Sequence, residues 1–133
     1  MRRLSWAVVV ARLLRPGGRL YLYEGHPATW SFKMESHHWE WDPDQSYFRT
    51  TPEPSQGWVA QYLGDIGTPA QEQATKYERI WPVSTIMNAL IDAGLRLDRF
   101  TEHPERYWRV FPNIPPDELL ALPQTFALQM TKP

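Results

Sequence analysis

Leu4, Ala7, Val8, Ala11 and Leu14 recur at helical spacing, and Trp6, Val10 and Leu13 form a second stripe, so the chain opens with a predicted helix that is apolar nearly all round. The helix is expected to begin near Arg3 and to stop where Pro16 removes a backbone donor and Gly17-Gly18 permit a reversal. A strand is predicted next. Leu20 and Leu22 point to one face and Tyr21 and Tyr23 to the other, the pattern of a strand covered on both sides and interior to a sheet. Glu24, Gly25, His26 and Pro27 then set a carboxylate and an imidazole at the strand's carboxyl end, the edge where open α/β sheets bind ligands.

Residues 28–76 show no sustained period. A structureless connection of that length does not suit a compact domain, so local order is expected. Trp30, Phe32, Trp39, Trp41, Tyr47, Phe48, Trp58 and Tyr62 supply apolar surface, and Asp42-Pro43, Thr51-Pro52-Glu53-Pro54 and Gly67-Thr68-Pro69 supply turns. We read residues 28–81 as a lid within a single domain spanning 1–133, with Tyr77 to Trp81 as a strand of a small hairpin. Its aromatics either pack the lid against the body or line a ligand cage. A second helix is predicted from Pro82, with Ser84 as a rival cap, along Val83, Ile86, Met87 and Leu90 to a stop at Gly94. Leu95-Arg96-Leu97-Asp98 alternates as a strand at or near an edge. Phe100 falls out of phase, which predicts a bulge or an early finish. Glu102-His103-Pro104 repeats the exit seen at Glu24 to Pro27. A proline-rich connection with a short helix over 117–122 leads to a last strand carrying Phe126, Leu128 and Met130 on one face.

Composition narrows the possibilities. The 133 residues carry a formal net charge of -1, which leaves no cationic excess for a phosphate backbone, so nucleic acid is not an expected partner. The absence of cysteine excludes disulfides, thiolate metal sites and cysteine nucleophiles. No apolar run approaches the ~20 residues of a membrane span. The basic, then apolar, first 14 residues read as a buried helix in preference to a signal peptide, and a cytoplasmic protein is expected. Its 13 prolines and 7 tryptophans fall mainly between regular elements, consistent with long aromatic loops.

The stretch LLRPGGRLYLYEGHP resembles the segment leading into the fifth strand of class I S-adenosylmethionine-dependent methyltransferases, and WPVSTIMNALIDAGLRLDRFTEHP and the terminal FALQMTKP continue the resemblance. What it implies is an α/β fold, the C-terminal portion of a Rossmann-like methyltransferase sheet. Residues 19–24, 95–102 and 125–132 would be three strands, the last antiparallel and lying between the other two, with two main helices and a long aromatic lid. It also implies S-adenosylmethionine as cofactor and a small-molecule acceptor. The first four strands of that family's sheet, with the glycine-rich loop after one of them, have no counterpart here. Gly17-Gly18 precedes its strand and cannot form a cofactor-binding turn in front of a helix, so no cofactor-binding residue is assigned and binding by this chain alone is doubtful. The strand at residues 20–23 would need something to pair with its open side: a separately encoded N-terminal half, a second copy of the chain, or the lid folding back. The alternative to a transferase portion is a non-catalytic assembly module that completes a partner's sheet or homodimerises.

Methyl transfer needs alignment, plus a base where the acceptor is a hydroxyl or amine. His26 is the candidate base, with a structured His-Pro turn as the plain alternative, and Glu24 is placed to fix it or to meet substrate. Trp30, Tyr77, Trp81 and His103 are candidate substrate-binding walls. Arg106, Trp108 and Arg109 could embrace an anion or simply face solvent. No metal site is expected: His26 and His103 would stand about two strand spacings, roughly 10 Å, apart. Glu35, His37, His38 and Glu40 are sequence neighbours whose side chains diverge along an extended chain.

Overall fold

A computed structural model describes residues 5–58 and 64–133. The start expected for the first helix, at Arg3 and Leu4, and the lid residue Tyr62 lie outside them. The described chain divides into two compact units, residues 1–48 with 81–133, and residues 49–80.

In the first unit, helix α1 (Ser5–Leu13) is followed by strand β1 (Arg19–Gly25). Gly17, at φ +76°, makes the reversal, and its N–H donates to the Lys132 carbonyl at 2.7 Å. The Lys132 ammonium returns along α1 and donates to the carbonyls of Ala11 and Leu14 at 2.7 and 2.8 Å. It thereby satisfies helix-end acceptors and sits at the negative pole of the helix.

Helix α2 (Val83–Asp92) begins one residue after the expected proline. Pro82 is the N-cap, and the first orphan N–H, that of Val83, donates to the Tyr47 hydroxyl at 2.9 Å. The helix ends in a Schellman motif in which Leu95 N–H reaches the Leu90 carbonyl and Gly94 N–H that of Ile91. Gly94 at φ +96° takes the left-handed position, and Leu90 and Leu95 are both buried beside it.

Strand β4 (Arg96–His103) and strand β5 (Thr125–Thr131) complete a three-stranded sheet of order β1-β5-β4, with β5 antiparallel to both neighbours. The register shifts between Leu97 and Arg99, so Asp98 is the extra residue of a bulge. That bulge is why Leu97 and Phe100, three apart, both pack on the core. Both helices cover one face. Ala7, Ala11, Val83 and Leu90 meet Phe126, Leu128 and Met130 of β5, with Leu20 and Leu22 of β1 beside them. Each of the fully buried Leu, Phe and Met side chains contributes roughly 1.5–3 kcal/mol by leaving water.

Among the described residues sheet pairing engages one edge of β1 only, and its tyrosine face is partly open: Tyr21 and Tyr23 are 62% and 41% exposed. The expectation of a strand covered on both sides is therefore corrected for the described residues, because both helices pack on the leucine side.

The segment read as one lid, residues 28–81, splits. Its first part packs by Trp30, Phe32 and Trp39 on a second small core of Val110, Phe111 and Ile114. Trp39 stacks edge-on against Phe111 at 4.8 Å and donates from Nε1 to the carbonyl of Glu118 in the short helix α3 (Pro116–Leu119). The second unit holds a hairpin of β2 (Glu53–Gln56) and β3 (Thr75–Glu78), two residues earlier than the expected start at Tyr77. These strands pair with each other. No helix among the described residues is long and apolar enough to cross a membrane.

Candidate functional site

The two strands that flank β5 both leave the sheet at a proline, which cannot donate to a ladder. The ladder instead closes with one more step on each side. His26 N–H donates to the Gln124 carbonyl at 2.8 Å, and Gln124 N–H donates to that of His103 at 2.9 Å. Glu24, Phe126 and Glu102 stand in one cross-strand row, so two carboxylates flank a buried phenyl ring at the carboxyl ends of β1 and β4.

His26 bridges this row. The Ala28 N–H donates to its Nδ1 at 3.2 Å, so the neutral ring carries its proton on Nε2 and donates it to Glu102 Oε1 at 2.9 Å. Its ring stands edge-on to Phe126 at 6.0 Å. His26 is only 6% exposed, whereas 49% of the Glu102 side chain is open to solvent. Both imidazole nitrogens are thus engaged within the chain, and the carboxylate is the accessible member of the pair. His26 also serves as N-cap of the 3-10 turn Pro27–Ser31. Of the two readings open from the sequence, the structured His-Pro turn is the one these contacts describe.

From the same turn, Thr29 donates its hydroxyl to the His26 carbonyl at 2.8 Å and accepts from Arg106 Nη1 at 2.9 Å. The Arg106 guanidinium lies over the Trp30 ring at 4.9 Å and the Trp108 ring at 5.3 Å. It also sits so close to Gly25 that a Cβ there would come within 2.6 Å of Nη2. Tyr107 stacks between Tyr23 at 5.6 Å and Trp108 at 4.1 Å. Burial, and after it the neighbouring Glu24 carboxylate, push the Tyr107 phenol above its usual range.

The other residues singled out from sequence lie as follows. His103 is on the tyrosine side of the sheet, its Nε2 3.2 Å from the Thr101 hydroxyl and its ring 6.1 Å from Tyr23, so it does not join His26. Trp81 is half-buried just before α2, and Tyr77 is an exposed residue of β3 in the second unit. His38 pairs with Glu118 at 2.8 Å, and Glu40 pairs with Lys33 and Ser36, so that cluster is shared out between separate partners. Among the described residues no three His, Asp or Glu side chains group to hold a metal ion. Sequence reasoning did not find the His26–Glu102 bond or the Thr29–Arg106 link. The repeated Glu, His and Pro exit was the one available signal for the first.

Among the described residues no glycine-rich turn leads from a strand into a helix, the arrangement that cradles a nucleotide cofactor. Neither β1 nor β4 is followed by a glycine-rich turn opening a helix, and a Cβ on Gly18 would meet its own chain at the Arg15 carbonyl, 2.8 Å away. What the strand order does set is an antiparallel strand, β5, between two strands that run parallel to each other.

Comparison with solved structures gives the same fold. A candidate S-adenosylmethionine-dependent methyltransferase from Listeria monocytogenes is similar with a TM-score of 0.56 at 19% identity. An S-adenosylmethionine-dependent methyltransferase from Mesorhizobium loti is similar with a TM-score of 0.54, also at 19% identity. Each likeness covers 96% of this chain and 53% of the other, so the chain spans about half the length of these proteins. No protein-family description and no curated protein matches the sequence.

Proposed function

We propose that this chain is the acceptor-side, carboxyl-terminal portion of an S-adenosylmethionine-dependent methyltransferase acting on a small molecule, with the glycine-rich cofactor loop supplied from outside it. One observation carries the reading: an antiparallel strand between β1 and β4, with His26 and Glu102 joined across it at the strand ends. In this reading the His26–Glu102 pair takes up the proton that an acceptor hydroxyl or amine gives up. Glu102 presents its solvent-open oxygen, and His26 holds the carboxylate by its Nε2–H. Glu24 orients the acceptor from across Phe126, with Trp30 beside it on the turn that follows His26. Calorimetry with S-adenosylmethionine on the 133-residue chain tests the division of labour. No saturable heat is expected, and micromolar binding would show that the cofactor site lies within this chain.

A second reading, a non-catalytic module that completes a partner's sheet or dimerises, is favoured by the single-sided pairing of β1 and the exposure of Tyr21 and Tyr23. Light scattering on the chain separates its two forms. A dimer that Tyr21→Lys dissociates supports pairing of like copies; a monomer leaves a separately encoded amino-terminal half as the partner.

A further inference from the structure

A cavity of about 420 Å³ opens between the wrapping connection and α3. That is within the usual size of small-ligand sites, roughly 300–1,000 Å³. Its walls are of two kinds. Arg106 and Arg109 bring two permanent cations, and no lining residue carries a negative charge. Trp108, Val110, Phe111 and Leu119 bring an apolar and aromatic surface. We propose that this cavity binds a small organic acid, a carboxylate on an aromatic body, with Arg106 and Arg109 holding the carboxylate and the apolar wall holding the ring.

Arg106 is built for the task. Its guanidinium carbon lies 4.9 and 5.3 Å from two indole rings and its Nη1 is tied to the buried Thr29 hydroxyl, so little rotamer freedom remains to be lost when an anion arrives. A guanidinium fork matches the two oxygens of a carboxylate. Arg109 is exposed and donates to the Pro112 carbonyl, which leaves donors on the same group for a ligand. The apolar lining argues against a bare inorganic anion, which would leave that wall uncovered.

Binding of the acid stands apart from catalysis; only its role as methyl acceptor rests on the transferase reading. The link is structural, since Thr29 joins Arg106 to the His26 backbone by two hydrogen bonds. Titration calorimetry and tryptophan emission on the 133-residue chain, with benzoate, phenylacetate, benzamide and inorganic phosphate as probes, provide the test. The two carboxylates are expected to bind saturably, and benzamide about tenfold more weakly, the equivalent of one charged hydrogen-bonding interaction. Arg109→Gln, on an exposed side chain, is expected to weaken benzoate at least about fivefold with an unchanged melting temperature, and Arg106→Lys to weaken it by losing the fork. Equal binding of acid and amide, phosphate binding as tight as benzoate, no saturable binding, or full affinity in Arg109→Gln overturns the proposal. None of these measurements needs the methyl donor, so their failure leaves the transferase reading to its own calorimetric test, and the converse holds.

Discussion

His26 donates from Nε2 to Glu102 Oε1 at 2.9 Å, joining the ends of two strands that β5 holds apart. Because His26 is buried and also accepts from Ala28 N–H, its removal strands a backbone donor as well as a carboxylate. His26→Ala is expected to cost about 2–3 kcal/mol, and Glu102→Gln, whose amide oxygen can still accept, under about 1 kcal/mol. Urea unfolding of the single and double variants gives a cycle with a coupling of at least about 0.5 kcal/mol. Strict additivity would remove the pair as a structural unit.

Lys132 closes α1 from the far end of the chain by donating to two of its last carbonyls. Lys132→Met keeps the aliphatic stem and deletes those bonds and the favourable pole, with an expected loss of about 1–2 kcal/mol. Far-ultraviolet dichroism on heating should show the midpoint fall. An unchanged midpoint would mean that water replaces the ammonium at no cost.

Gly25 carries a requirement that no turn imposes: its missing Cβ makes room for Arg106 Nη2, 2.6 Å from where that carbon would lie. Gly25→Ala must push the guanidinium from between Trp30 and Trp108 or strain β1, at about 1–3 kcal/mol. The expected signature is a shift in tryptophan emission that Gly18→Ala does not reproduce.

Glu118 accepts from His38 and from Trp39 N–H, and these two bonds, the first the larger cause, hold its carboxyl below the ordinary 4.5. A depressed carboxyl pKa gives stability that is present above the ordinary value and lost as pH falls through the folded one. Melting temperatures measured from pH 6 downward should therefore drop less steeply in Glu118→Gln than in the parent chain. Parallel curves would count against it.

Tyr107 titrates in the opposite sense. Its phenol, raised by burial first and Glu24 second, should ionise above the ordinary 10.0 in an absorbance titration differenced against Tyr107→Phe. Glu24→Gln should bring it down. Stability drawn from this group is complete below the ordinary value and fades as pH climbs through the raised one.

Much of the fold was legible along the chain because local chemistry and global packing agree there. Pro16 and Gly17 end α1, Gly94 ends α2, and the phase slip before Phe100 is a bulge at Asp98. The antiparallel place of β5 came from resemblance, since alternation at Phe126, Leu128 and Met130 says only that a strand has a buried face. That Ala127 is buried too follows from the sheet, which covers it with neighbours on both sides.

Sequence alone determined where α1 and α2 stop and where the strands of the three-stranded sheet run, since backbone donors, glycine φ angles and apolar spacing act within a few residues. It also marked the polar strand exits at Glu24–His26 and Glu102–His103 as the place to look. Tertiary structure decided which of those groups meet. His26 is 76 positions from Glu102, and Thr29 is 77 from Arg106. Such pairings depend on strand order and register, which bring distant residues within hydrogen-bond reach and leave no periodic trace in the chain.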